Sequence, residues 1–116
     1  MSRNSLVPAS AWDTHTHVFD PGNFPYAVPR SYTPKAAQVT KYPVKTTGCT
    51  CVAIVHASIQ GSSPKALLDT LSKAKSSGLT LRGLATIDIE NTTDAELDAL
   101  HAAGGMFCLQ TKENWN

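Results

Sequence analysis

From Cys51 to Gly104 the chain alternates strand-like and helix-like stretches, and this alternation limits the possible folds more than any other feature. Cys51-Val52-Ala53-Ile54-Val55 is a continuous apolar run, the pattern of a strand covered on both faces. Ser63-Pro64 then supplies an N-cap and a first-turn proline, and Ala66, Leu67, Leu68, Leu71 and Ala74 recur at helical spacing until Gly78. Leu81 to Asp88 reads as the next strand. Thr93-Asp94-Ala95-Glu96 is a capping box opening a second helix, with Leu97 and Leu100 on one side and Gly104 as its stop. Strands separated by helices imply parallel pairing through right-handed crossovers, so the fold class is α/β.

The 116 residues suit one domain. A (β/α)8 barrel uses about 250 residues, or roughly 31 per unit, so a chain of this length supplies between three and four units and cannot close a barrel alone. A small open sheet is the other solution, but its parallel strands need cover on both faces and the sequence offers only two good helices. The expectation is therefore a partial TIM barrel, about its first three β/α units.

Upstream, Trp12 to Phe19 alternates as an extended strand after a polar lead-in over 1–11. Asp20 to Pro43 then carries Pro21, Pro25, Pro29, Pro34 and Pro43, which block a long helix and a central strand alike and predict a long structured loop. A brief helical turn near Ala36 to Thr40 fits inside it. Ten basic residues balance nine acidic ones without any like-charge run, so there is no footprint for nucleic acid or an anionic membrane. No apolar run approaches the ~20 residues of a membrane helix. Met1 to Pro8 holds one positive charge and no apolar segment, and Cys49, Cys51 and Cys108 are too few for a disulfide scaffold, so the expected compartment is the cytoplasm.

His15 and His17 stand two apart on the first strand, so both side chains leave one face, close enough to hold one divalent cation of the zinc type. Asp13 is expected on that face too. A bound metal lowers the pKa of water to about 7 and makes a nucleophile for a carbonyl carbon. Spacing alone leaves a second reading open, because such pairs also serve as hydrogen-bonded structural histidines. Catalytic zinc commonly takes three protein ligands, and the pair supplies two. Cys49 and Cys51 also share a face but lack a second pair, and Cys51 reads as a small buried apolar residue. With no G-x-G-x-x-G or other phosphate-cradling loop, no nucleotide cofactor is expected.

The run Ala11-Trp12-Asp13-Thr14-His15-Thr16-His17-Val18-Phe19-Asp20-Pro21, followed by Phe24-Pro25-Tyr26-Ala27-Val28-Pro29-Arg30-Ser31-Tyr32-Thr33-Pro34, resembles the opening of the amidohydrolase-related family. The similarity is to the branch containing 2-pyrone-4,6-dicarboxylate lactonases. It continues through Gly61, Leu67-Leu68-Asp69, Arg82-Gly83-Leu84-Ala85 and Asp94 to Gly104, and so spans 12–104 as the N-terminal portion of such a barrel. The resemblance implies a metal-associated hydrolase site at the C-terminal ends of the strands, with His15 and His17 as the strand-one pair. It further implies that Tyr32, in the Y-T-P motif, contacts a carboxylate of a small-molecule substrate. A packing role within the proline-rich loop is the alternative for Tyr32.

His56 ends the second strand on the edge where barrel sites lie, and reads either as a substrate-binding residue or as a hydrogen-bonded structural one. Asp88 ends the third strand in the same layer, where a helix-capping role competes with ligand binding. His101, near the end of the second helix, complements the helix dipole.

After Gly104 the family continues with a strand resembling V-R-G-V-R-F, whereas this chain reads Gly105-Met106-Phe107-Cys108-Leu109 and has no arginine beyond Arg82. Residues 105–116 are accordingly expected to form a divergent tail. The late-strand aspartate that serves the family as general base has no counterpart here, and the expectation is a truncated, N-terminal part of a lactonase-like hydrolase. A metal-dependent decarboxylase of the same superfamily and a non-catalytic fragment are the alternatives.

Overall fold

The computed structural model describes residues 6–27, 32–57, 60, 64–87 and 90–109, the last five as backbone. Four strands, β1 (Trp12–Thr16), β2 (Cys51–Val55), β3 (Thr80–Ile87) and β4 (Gly105–Leu109), form one sheet in the order β1-β2-β3-β4. All three pairings are parallel, and β2 runs against β3 in unbroken register from Cys51↔Thr80 to Val55↔Leu84. The helices are α1 (Val44–Thr47), α2 (Lys65–Ser72), α3 (Ala74–Ser77) and α4 (Asp94–Ala102), with a 3₁₀ turn at Val39–Lys41. This is an α/β fold.

Each connection advances to the adjacent strand in the same direction, and right-handed crossovers of that kind place every helix on one side of the sheet. The packing follows that rule. Val52, Ile54, Leu81, Ala85 and Ile87 form one buried cluster with Val44 of α1, Leu67 and Leu71 of α2, and Leu100 of α4. The alternate residues Cys51, Ala53, Val55 and Leu84 are half-buried, Arg82 is exposed, and Thr86 is the buried exception. Cys51–Val55 was expected to be covered on both faces; its side chains are apolar on both, but burial alternates because the helices lie on one side.

Gly83 sets how closely α2 approaches the sheet. A Cβ there would lie 3.0 Å from Leu67 Cδ1 and 3.1 Å from Leu71 Cδ1, so a bare backbone lets both leucines reach the strand.

The helix anticipated from Pro64 to Gly78 is broken at Lys73 (φ −90°, ψ 8°) into α2 and α3. Ser72, Ser76 and Ser77 explain the break, since each hydroxyl bonds back to the carbonyl three residues earlier and competes with the helical ladder. Gly78 ends α3 in the left-handed region at φ 72°. Thr93 caps α4 as expected, its Oγ1 accepting from the Glu96 amide at 3.2 Å. Pro43 was expected to limit helix in its loop, yet α1 starts directly after it, because a proline's missing N–H is no loss at a helix start.

The sheet has one strand more than the three expected. Gly105–Leu109, expected in the tail, pairs with β3 from Gly83↔Gly105 to Ile87↔Leu109. Asp88 lies outside the described residues. Among the described residues no helix is long and apolar enough to cross a membrane.

Candidate functional site

The end of β1 departs from regular strand geometry, and the histidine pair sits in that departure. Asp13 pairs with Val52 and Thr16 with Ile54, so β1 advances three residues while β2 advances two. In a regular strand residues i and i+3 face opposite ways; the extra residue turns Thr16 back to the side of Asp13. There Asp13 Oδ2 accepts from Thr16 Oγ1 at 2.8 Å and from the Tyr42 hydroxyl at 2.6 Å, and Oδ1 accepts from the His15 amide at 3.3 Å.

Asp13 was expected to share the histidines' face. Its register partner Val52 belongs to the core, Tyr42 packs on that core, and the carboxylate is tied to two hydroxyls instead of the imidazoles. Burial pushes the Asp13 carboxyl up, but the Tyr42 and Thr16 hydroxyls, the His15 amide and the charge of His15 outweigh it, and its pKa falls below the ordinary 3.8. Tyr42 is pushed up to about 12, first by burial and then by its hydrogen bond to Asp13.

Beyond Thr16, side chains take over from the backbone ladder. His17 Nδ1 lies 2.8 Å from the Val55 carbonyl oxygen. A carbonyl only accepts, so this bond requires Nδ1–H and leaves Nε2 as the ring's lone-pair nitrogen. The Gln60 carboxamide spans the next gap: Nε2 donates to the Val18 carbonyl at 2.9 Å and Oε1 accepts from the Ala57 amide at 2.9 Å. Phe19 turns away to exchange two backbone hydrogen bonds with Ala37, at 3.0 and 2.9 Å.

The rings of His15 and His17 are brought together, their centroids 5.1 Å apart and their planes at 87°. His17 in turn lies 5.8 Å from Phe19, and Phe19 lies 5.9 Å edge-on from Tyr26, whose hydroxyl donates to the Pro34 carbonyl at 2.8 Å. Successive rings thus anchor the pair to the proline-rich loop. His15 is exposed and His17 half-buried. A cavity of about 280 Å³ opens beside His17, lined also by Thr16, Val18, Val39, Lys41 and Tyr42.

The remaining expected site residues lie apart from this cavity. Tyr32 is 51% exposed on the loop, and His56 is 6% exposed just past β2, its amide donating to the Leu84 carbonyl at 2.9 Å. Cys49 is buried, Cys51 is half-buried, and both are free thiols. His101 is exposed in the last turn of α4.

Two imidazoles sharing a tetrahedral zinc with Zn–N bonds of about 2.0–2.1 Å have ring centres roughly 5 Å apart, the separation of His15 and His17. Among the described residues no group of three His, Cys, Asp or Glu side chains comes together around a common point. Sequence reasoning missed Tyr42, Gln60 and the Val55 carbonyl. Their partners lie 29, 42 and 38 residues away, and no local pattern announces such contacts.

No family model matches the chain. It is 42% identical over 101 residues to a 2-pyrone-4,6-dicarboxylate hydrolase from Comamonas testosteroni, an overlap of 84% of this chain and 32% of that protein. A 4-sulfomuconolactone hydrolase from Rhizobium radiobacter is 34% identical over 71 residues, or 59% of this chain and 24% of its own length. The chain thus spans about a third or less of the curated relatives it matches. Among solved structures, a probable 2-pyrone-4,6-dicarboxylic acid hydrolase from Acinetobacter baumannii with citric acid bound superposes with a TM-score of 0.70 at 25% identity. That match covers 90% of this chain and 39% of the other.

Proposed function

We propose that this chain contributes the first strands and the strand-one histidine pair of a lactone hydrolase of the amidohydrolase superfamily, built on a (β/α)8 barrel and acting on a small carboxylated substrate. The observation that carries this reading is the pair itself, with ring centroids 5.1 Å apart at the C-terminal end of the first strand of a parallel sheet. That end is where barrel enzymes place their chemistry. The strand order supports a barrel over a doubly wound sheet, since a doubly wound sheet reverses its order at a switch point and β1-β2-β3-β4 does not. Similarity to two proteins named as hydrolases of a pyrone dicarboxylate and a sulfomuconolactone favours a cyclic ester bearing anionic groups. The citric acid in the similar structure is consistent with affinity for carboxylates.

In this reading His15 and His17 would hold a divalent cation of the zinc type, which would polarise a carbonyl and lower the pKa of water. With its Nδ1–H held by the Val55 carbonyl, His17 would offer Nε2 as ligand, the usual arrangement in which the second ring nitrogen is fixed by a backbone acceptor. Tyr32, exposed on the loop, donates its hydroxyl to a substrate carboxylate. Water adds to the lactone carbonyl carbon and the ring C–O bond breaks, giving a carboxylate and a hydroxyl or its keto form. Asp13 does not take the proton from that water, because it lies on the core side with Tyr42 and Thr16 and its lowered pKa makes it a weaker base.

Loss of the pyrone chromophore of 2-pyrone-4,6-dicarboxylate tests the reading in a chimera in which residues 12–104 replace the matching segment of the Comamonas testosteroni hydrolase, so that the remaining strands of the barrel are supplied. Turnover is expected, with kcat/KM falling about 100-fold or more in His15→Asn and His17→Asn. Absence of turnover, or turnover indifferent to both substitutions, overturns it.

A further inference from the structure

We propose that Gln60 is a positioning residue for His17: its carboxamide sets the gap between the ends of β1 and β2 and thereby fixes which imidazole nitrogen faces the site. The inference rests on the lactonase reading for what the imidazole serves, but its geometry stands independently.

The paired register of β1 and β2 ends at Thr16↔Ile54. The Val18 carbonyl and the Ala57 amide each bond to Gln60 instead, at 2.9 Å, through Nε2 and Oε1 of the same carboxamide. Gln60 thus stands in for a peptide unit. Only an amide side chain can do this, since it alone offers an N–H donor and a carbonyl acceptor side by side; glutamate at neutral pH offers acceptors only, and lysine donors only. The spacing it imposes leaves room for the His17 ring one residue earlier, where Nδ1–H reaches the Val55 carbonyl at 2.8 Å. The two bridges are consecutive rungs of one side-chain ladder, and losing the outer one frees Val18 to move with His17 beside it. The Phe19–Ala37 bridge anchors the far side, so the freed motion is confined to His17 and Val18.

The experiment reads the imidazole directly. Two-bond ¹H–¹⁵N spectra of the ¹⁵N-labelled chain at a pH where His17 is neutral are expected to show its proton on Nδ1. In Gln60→Leu and Gln60→Glu the proton is expected to redistribute between the two nitrogens. Gln60→Glu keeps an acceptor for Ala57 and presents a carboxylate to the Val18 carbonyl, so the Ala57 amide should remain slow to exchange there while becoming fast in Gln60→Leu. Should Gln60→Leu fail to fold, Gln60→Glu carries the test, and in the wild type the Gln60 side-chain amide protons must exchange more slowly than those of a free carboxamide.

A His17 proton that stays on Nδ1 in both variants overturns the proposal, as does a wild-type Gln60 carboxamide exchanging at the free rate. Titration with Co²⁺ alone adds a second readout, with affinity in Gln60→Glu expected to fall roughly 10- to 100-fold, the usual penalty for disturbing a ligand's supporting hydrogen bond. Failure of the chimera with wild-type 12–104 to hydrolyse the pyrone sinks the lactonase reading and leaves the tautomer result to judge Gln60.

Discussion

The β2–β3 half of the sheet and the end of β1 solve the same problem, holding parallel strands together, by different means. Between β2 and β3 the register never slips, one residue in two enters the core, and Gly83 lets Leu67 and Leu71 close on the strand. At the end of β1 the register shifts, and the strand continues on bonds from His17, Gln60, Tyr42 and Thr16 side chains. The first region gains its stability from apolar burial, which is non-directional and tolerates substitution of like volume. The second depends on directional bonds, each with one or two acceptable partners. Burial makes the scaffold, and the hydrogen-bonded end of β1 aims the two imidazoles.

The largest effect should come from the buried half. Leu67 is 4% exposed, and Leu67→Ala leaves a space beside Gly83 that the bare glycine cannot fill, at a cost of about 2–5 kcal/mol. Urea denaturation of the two proteins measures it. If Leu67→Ala cost less than Tyr42→Phe, the division of labour between the two regions would be refuted.

The same division explains what could be read in advance. Apolar runs and helical spacing gave β2, β3 and α4 with its Thr93 cap, because patterns of period two and 3.6 are local. The pairing of His15 with His17 was legible for the same reason. The position of Asp13 was not, since the extra residue in β1 is stabilised by Tyr42, 29 residues downstream. Lys73 interrupts a stretch whose apolar spacing continues, because three serine hydroxyls act where a hydrophobic pattern has no voice. Gly105–Leu109 was assigned to a tail because it lacks the arginine-bearing strand of the resembled family, yet a short apolar segment after Gly104 is enough to pair with β3.

Next in size is Tyr42→Phe, which removes a hydroxyl donor from a charged acceptor at 2.6 Å and should cost about 1.5–3 kcal/mol. Its pH signature sharpens the comparison. With a folded pKa of about 12 against the ordinary 10.0, Tyr42 contributes stability that is fully present below pH 10 and is lost as pH rises from 10 through 12. Asp13 has the opposite sign: its folded pKa is lowered, so its contribution is present above the ordinary 3.8 and lost as pH falls through the folded value. Denaturation midpoints across pH should therefore show an acid arm and an alkaline arm. Tyr42→Phe should flatten the alkaline arm, which burial of the hydroxyl and then its bond to Asp13 create, and weaken the acid one, to which the same bond contributes. An unchanged alkaline arm would remove Tyr42 from the site.

The smallest effect belongs to a bond as local as those of β1 are long-range. Thr93 Oγ1 accepts from an amide three residues on at an exposed helix start, so Thr93→Ala should cost only about 1 kcal/mol. It shares no partner with Asp13, so combining it with Tyr42→Phe should give the sum of the single costs within about 0.5 kcal/mol. Thr16→Val and Tyr42→Phe both take a donor from Asp13 Oδ2, so that pair should depart from additivity by more than this margin. Finding the Thr93 pair coupled and the Thr16 pair additive would mean that the end of β1 is held by something other than the hydroxyls gathered on Asp13.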